Sequence, residues 1–472
     1  MTRMAVLSEI IEAKRESFTA LSDELWAKAE VAFTERQSAE LLCGALEQEG
    51  FRVERQVAGL ETGFVGSYGS GHPVIAILGE FDALPGLSQK AGLARPEPIA
   101  EGGNGHGCGH NLLGSGALAA AVAVKDYMQR TGLKGTVRYY GCPAEEYGSG
   151  KAYMARAGLF DDADLALSWH PYTAALVQNL SSLANYAVKF KFTGRSAHAA
   201  ASPHLGRSAL DAVELMNVGV NYLREHMIPE ARVHYAITDS GGASPNVVQA
   251  YAEVSYLIRA PKQHQVTELY SRVYDIAKGA ALMTGTSVET EFEGAAGSLI
   301  PNRKLAEVMH ANLTAAGIPD YDAEDWRYAE AIRATLSPED IQAALYGMDP
   351  RTALRLKDKA IADEVIPLYP VEPVMPGSTD VGDVSWVVPT AQCMTACWAL
   401  GTALHTWQTV AQGTLPLAHK GMLQAAKTIA GTAIEALENP AVIAEAKTEH
   451  RERLQGQAYM PLIPEGQMPP RR

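Results

Sequence analysis

Val74-Ile75-Ala76-Ile77-Leu78-Gly79-Glu80-Phe81-Asp82-Ala83-Leu84-Pro85-Gly86 is the stretch on which the fold turns. Its first five residues are apolar and mostly β-branched, and the run stops at a glycine, which predicts a short buried strand. On the N-terminal side, residues 4–50 carry Leu7, Ile10, Ile11, Leu41, Leu42 and Leu46 at three- and four-residue spacing, a helical pattern that Gly50 stops. On the C-terminal side, a helix rich in small residues is predicted from about Asn111 to Met128, followed by a strand beginning Val137-Arg138-Tyr139-Tyr140. Buried strands alternating with helices imply an α/β sheet.

The texture changes over residues 185–296. Tyr186–Phe192 alternates as a half-exposed strand, Ala209–Tyr222 is an amphipathic helix, and strands are expected near Val233–Thr238 and Ala250–Ile258. A helix at about Val266–Leu282 and a strand near Ser287–Phe292 complete a β-α-β-β-α-β unit. This predicts a small α+β domain inserted between residues 1–184 and 297–472 of a larger one. Residues 318–375 are more polar and mostly helical, with Ser337-Pro338-Glu339-Asp340 as a capped helix start. Pro461–Pro470 reads as a tail wrapping the surface.

Composition narrows the function. The 472 residues are 47% hydrophobic and 20% charged, as in globular chains with large cores. Lys+Arg is 40 against Asp+Glu 54, a net charge of −14 that disfavours nucleic-acid and anionic-membrane partners. The longest apolar run, near Gly116–Val124, is far shorter than a membrane span of roughly 18 residues. Met1-Thr2-Arg3-Met4 opens no apolar signal core, and five cysteines form no disulfide framework. Both features point to the cytoplasm.

Chemistry-bearing residues recur where strands are expected to end. Gly107-Cys108-Gly109-His110-Asn111 places a thiol and an imidazole two apart in a glycine-rich turn. Pro143-Ala144-Glu145-Glu146, Trp169-His170-Pro171 and His405 after Ala403-Leu404 add carboxylates and imidazoles. Thiolate, imidazoles and carboxylate, five ligands in all, are too many for one tetrahedral structural site and suit two divalent ions, Zn²⁺ or Mn²⁺, activating a water. Of the adjacent carboxylates, one can bind metal while the other moves protons. Gly148-Ser149-Gly150-Lys151 superficially resembles a phosphate loop, but Ala152 stands where Ser or Thr is required.

In this order, Glu80-Phe81-Asp82-Ala83-Leu84-Pro85-Gly86, Cys108-Gly109-His110, Pro143–Glu146, Trp169-His170-Pro171 and His405 resemble the aminoacylase/carboxypeptidase superfamily of dinuclear metallopeptidases, in its amidohydrolase branch. Residues 79–89, Gly377-Ser378-Thr379-Asp380-Val381-Gly382-Asp383 and Leu404-His405-Thr406-Trp407-Gln408 are most similar to the group formed by the B subunits of p-aminobenzoyl-glutamate hydrolases. The resemblance implies a mixed sheet sandwiched by helices, with an inserted lid domain that also forms a homodimer. It implies Cys108, His110, Glu146, His170 and His405 as ligands of two metal ions, with Cys108 or a solvent molecule bridging. Glu145 would be general base and acid, and Asp82 would orient His110. In Gly194-Arg195-Ser196-Ala197-His198-Ala199-Ala200, His198 would reach the site of the dimer mate and donate to the oxyanion, while Asn246 and Arg259 would hold the substrate carboxylate. Three departures stand out: Asn111 replaces the usual Asp and cannot supply its carboxylate, Thr406-Trp407 replaces Ser-Pro, and the polar segment 318–375 is longer than the family core requires. The implied reaction is hydrolysis of N-acyl or aroyl amino acids, above all p-aminobenzoyl-glutamate. The competing readings are a broader N-acyl-amino-acid or dipeptide hydrolase, and a non-catalytic chain that depends on a partner.

Overall fold

The computed structural model describes residues 2–147, 149–346 and 348–471. Val74–Glu80 is a strand buried along its whole length, at the centre of a seven-stranded sheet. The order across that sheet is Arg52–Arg55, Phe64–Ser70, Gly135–Cys142, Val74–Glu80, Leu165–Tyr172, Thr390–Ala396 and Leu176–Gln178. The four strands from Gly135–Cys142 to Thr390–Ala396 run parallel, and the outer ones antiparallel. Their carboxyl ends therefore line up along one edge, where ligands collect in open α/β sheets.

Small residues let the covering helices approach closely. His110–Thr131 lies against the sheet and against Pro416–Glu438, and both helices are buried along most of their length. Trp169 Nε1 donates to the Leu113 carbonyl at 3.0 Å. Gly116 lets the helix pass over this indole: a Cβ there would sit 2.6 Å from Trp169 and 3.0 Å from Met422. The N-terminal segment is three helices, Arg3–Ala13, Arg15–Lys28 and Arg36–Gln48. The last closes at Gly50, with φ +83°.

A second sheet, in the order Ser287–Ala296, Ala184–Thr193, Tyr251–Ala260 and Arg232–Asp239, is antiparallel throughout. Ala209–Leu223 and Gln263–Thr284 cover one face and share with it a hydrophobic core of their own. The strand Ser287–Ala296 runs four residues past its expected end through a bulge at Phe292/Gly294. Between Gly317 and Met375 lie the helices Ala323–Arg333, Pro338–Leu345 and Pro350–Leu356, and the Ser337 hydroxyl accepts from Asp340 N at 3.1 Å. In the tail, Ile463 is buried, and Arg156 donates to the carbonyls of Pro464 and Gln467 at 3.0 and 2.6 Å.

Glu35 pins the turn that follows Gly135–Cys142. Its carboxyl is buried, accepting from Ala144 N at 2.9 Å and from the Thr62 hydroxyl at 2.9 Å. Ala144 has φ +59°, so this contact holds a strained turn. Burial, then the nearby Asp82 charge, pushes the Glu35 carboxyl up to about 8.

Two measurements check this packing. Gly116→Ala should lower stability to urea by about 1–3 kcal/mol, because the rigid indole cannot yield to the new methyl. A folded-state pKa above the unfolded one gives stability that is present at low pH and is lost as pH rises. Glu35→Gln preserves both contacts without the charge. Wild type should therefore lose stability relative to Glu35→Gln between about pH 4.5 and 8, at about 1.4 kcal/mol per pH unit. A pH-independent difference between the two would contradict this.

Candidate metal centre

The candidate ligands gather at the carboxyl edge of the parallel strands, though not all from strand ends. Glu145 and Glu146 follow Gly135–Cys142, whereas His170 lies inside Leu165–Tyr172. Cys108 and His110 arrive on the N-terminus of the helix His110–Thr131, because the chain from Glu80 loops through residues 81–109 before turning back over the sheet. His405 comes from the loop between Thr390–Ala396 and Trp407–Gln412, and its backbone N donates to Gly107 O at 2.8 Å.

The ligand atoms of Cys108, His110 and His170 lie within 4.8 Å of one another, as do those of Cys108, Glu146 and His405. Cys108 thus belongs to both groups. Its Sγ is 3.4 Å from His170 Nε2, and His405 Nε2 is 3.4 Å from Glu146 Oε1. Neighbouring ligands on one ion stand about this far apart at the bond lengths of zinc-type sites. Gly109, between Cys108 and His110, has φ +74°, and a Cβ there would meet Trp398 at 2.6 Å, so this turn requires glycine.

The hydrogen bonds fix which imidazole nitrogens are free. His110 Nδ1 lies 3.0 Å from both the Asp82 carbonyl and Asp82 Oδ1, which only accept, so Nδ1 carries the proton and Nε2 presents its lone pair. His170 Nδ1 faces the Pro171 carbonyl at 2.7 Å with the same result. Asp82 Oδ2 also accepts from Glu146 N at 3.0 Å, tying the orienting carboxylate to the Glu146 turn. His110 Nε2 and Glu146 Oε1 are buried without a hydrogen-bond partner.

The electrostatics ask for cations. Burial first, then Glu146, pushes the Cys108 thiol well up. Burial, then Glu80, Glu146 and Asp380, does the same to the Glu145 carboxyl. Burial also opposes the Asp82 charge, but His110, the Glu146 amide and Lys151 together hold that carboxyl below its usual range. Unpartnered nitrogen and oxygen atoms, a thiol and crowded acids fit two divalent ions, whose charge inverts such shifts.

A cavity of about 420 Å³ between the two sheets is lined by Glu145, Glu146, His405, Arg259, Ser378 and Asp380. Arg259 donates to the Ser378 hydroxyl at 2.8 Å. His198 and Asn246 are exposed and lie together outside that cavity, Ala199 N donating to the Asn246 carbonyl at 2.9 Å. The Asn111 amide donates to Ser22 Oγ at 3.1 Å and to Gly413 O at 3.0 Å, tying the start of its helix to both segments. Lys151 is no phosphate ligand, being fully buried 2.7 Å from Glu80 Oε1 and 2.5 Å from Asp380 Oδ1; Gly148 lies outside the described residues. Glu80, Lys151 and Asp380 were not picked out by the sequence as a cluster, although an acid closing an apolar strand is itself a signal.

Comparison with known proteins places the chain in a family. Residues 76–406 match the family model of peptidase family M20/M25/M40. The chain is 51% identical over 470 residues, 98% of each chain, to the B subunit of p-aminobenzoyl-glutamate hydrolase from Escherichia coli strain K12. It is 29% identical to the Xaa-Arg dipeptidase of Mus musculus, covering 95% of this chain and 92% of that one. Among solved structures, a dinuclear metal-binding M20 peptidase of Bacillus subtilis superposes with a TM-score of 0.56 at 17% identity, over 90% of this chain and 99% of that one. An aminobenzoyl-glutamate utilization protein from Klebsiella pneumoniae gives a TM-score of 0.56 at 16% identity, over 88% and 98%. With ligand-type side chains converging at the carboxyl edge of an α/β sheet and a family match across both sheets, the chain belongs to peptidase family M20/M25/M40.

Proposed function

We propose that this protein is a metal-dependent amidohydrolase that splits the amide of N-acyl or aroyl amino acids, with p-aminobenzoyl-glutamate as its leading substrate. The reading rests on one observation: two ligand groups share Cys108 beside a cavity that also holds Glu145 and Arg259. The 51% identity to one of the two chains of p-aminobenzoyl-glutamate hydrolase supports the substrate. Glutamate on the leaving side gives Arg259 a carboxylate to grip through a guanidinium fork.

Two divalent ions, Mn²⁺ or Zn²⁺, held by Cys108, His110, Glu146, His170 and His405, would supply Lewis-acid polarisation of the scissile carbonyl and an acidified water. Glu145 takes the proton of the attacking water and returns it to the leaving nitrogen, a task suited to a carboxyl pushed up by burial and then by its acidic neighbours. Asp82 keeps His110 in its ligand tautomer. Arg259 holds the carboxylate of the leaving amino acid, joined by Asn246, and His198 donates to the developing oxyanion. His198 and Asn246 are exposed and outside the cavity, which suits delivery to a second copy of this chain. The inserted sheet, residues 185–296, then serves as lid and dimer contact, and closure sets the carbonyl against the nucleophile. The other chain of the Escherichia coli hydrolase, its A subunit, is 29% identical over 54% of this chain, which makes a companion chain the alternative assembly. Free buried thiols at Cys43, Cys108, Cys142, Cys393 and Cys397 suit a cytoplasmic setting, and no helix among the described residues is long and apolar enough to cross a membrane.

Chelation should abolish release of p-aminobenzoate from p-aminobenzoyl-glutamate by the purified chain, and Mn²⁺ or Zn²⁺ should restore it. No release with either metal, from this substrate or a panel of acyl amino acids and dipeptides, would sink the reading. Glu145→Ala should keep its metal and lose about 10²–10⁴-fold in kcat. His198→Ala should lose about 10²–10³-fold in kcat with metal content unchanged. Mixing the two inactive variants should restore part of the activity if His198 acts across a dimer, because mixed dimers contain one intact site.

A further inference from the structure

Glu80 ends the central strand and is almost completely buried, with the fully buried Lys151 and Asp380 beside it. Asp380 grips Lys151 twice: Oδ2 accepts from the backbone N at 2.8 Å, and Oδ1 lies 2.5 Å from Nζ. Lys151 Nζ also lies 2.7 Å from Glu80 Oε1. One ammonium therefore sits between two carboxylates, and the trio keeps a net negative charge in a dry interior, where an uncompensated charge is costly. Glu80 Oε2 points at His110 Nε2, 3.3 Å away.

This contact cannot be a hydrogen bond while His110 is a metal ligand. Nδ1 holds the imidazole proton against Asp82, so Nε2 and Oε2 offer each other lone pairs. Nε2 is also fully buried without a partner. Two lone pairs aimed together at 3.3 Å match the separation of His170 Nε2 from Cys108 Sγ and of His405 Nε2 from Glu146 Oε1, both 3.4 Å. The ligand atoms of Glu80, His110 and Glu145 also lie within 4.8 Å of one another.

We propose that Glu80 is a further ligand, through Oε2, of the ion held by His110, with Lys151 and Asp380 as the buried clamp that aims it. The inference rests on the dinuclear reading above. A hard carboxylate oxygen added to imidazole and thiolate raises the coordination number and favours Mn²⁺ over Zn²⁺ at that site.

The test is calorimetric titration of chelator-stripped protein with Mn²⁺ and, separately, Zn²⁺. Wild type should bind two ions per chain. Glu80→Gln keeps an oxygen for Lys151 but removes the charge, and should weaken one Mn²⁺ site at least about tenfold, with a smaller loss for Zn²⁺ and the other site unchanged. Glu80→Asp, which keeps the charge but withdraws it, should show the same selective loss and covers the case in which Glu80→Gln does not fold. The visible spectrum of the Co²⁺-loaded protein gives an independent reading. Its absorption should strengthen in either variant as the coordination number falls. Mn²⁺ affinities within twofold of wild type at both sites, with an unchanged Co²⁺ spectrum, would overturn the role of Glu80 and leave the dinuclear reading intact. Wild type that binds no ion would overturn both.

Discussion

The molecule is arranged around a concentration of acidic side chains, some fully buried and some lining a cavity. The carboxylates of Glu80, Asp82, Glu145, Glu146 and Asp380 and the thiol of Cys108 crowd the carboxyl edge of the central strands, with the Lys151 ammonium paired to two of them. Left alone, such a cluster takes up protons, and the raised Cys108 and Glu145 groups record that tendency. Divalent cations remove the conflict, so the fold is a container whose charge is incomplete without its metals.

Keeping these groups in place costs backbone strain, and the surrounding structure supplies the restraint. Ala144, beside Glu145, and His405, itself one of the residues that meet at the site, both adopt positive φ, at +59° and +61°. Each such residue costs of order 1–3 kcal/mol. Glu35, between the second and third N-terminal helices, holds the first, and the Gly107 carbonyl holds the second. Gly109 and Gly116 serve the same end by letting backbone pass close to Trp398 and Trp169. The helix that carries His110 can then lie deep enough for its first residue to face Asp82.

How much of this was legible in the sequence depends on the range of each interaction. The strand Val74–Glu80, the Ser337 cap and the β-α-β-β-α-β pattern are local, and periodicity shows them directly. The candidate ligands were legible because thiol, imidazole and paired acids in short motifs are rare combinations. What stayed hidden joins residues far apart in the chain. Lys151 and Asp380 are 229 positions apart, and Glu35 and Ala144 are 109 apart, so neither contact leaves a local trace. A lysine ordinarily reads as solvated, and only the packed structure shows Lys151 fully buried. The tie from the Asn111 amide to Ser22 and Gly413 is hidden for the same reason, since its partners lie 89 and 302 positions away.

The claim on which the account stands is the proposal that Cys108, His110, Glu146, His170 and His405 would hold two divalent ions. Diffraction from crystals loaded with Mn²⁺, collected where manganese scatters anomalously, tests it most directly. The account predicts two anomalous peaks per chain, both among Cys108, His110, Glu146, His170 and His405. A single peak, or peaks away from these side chains, would contradict it.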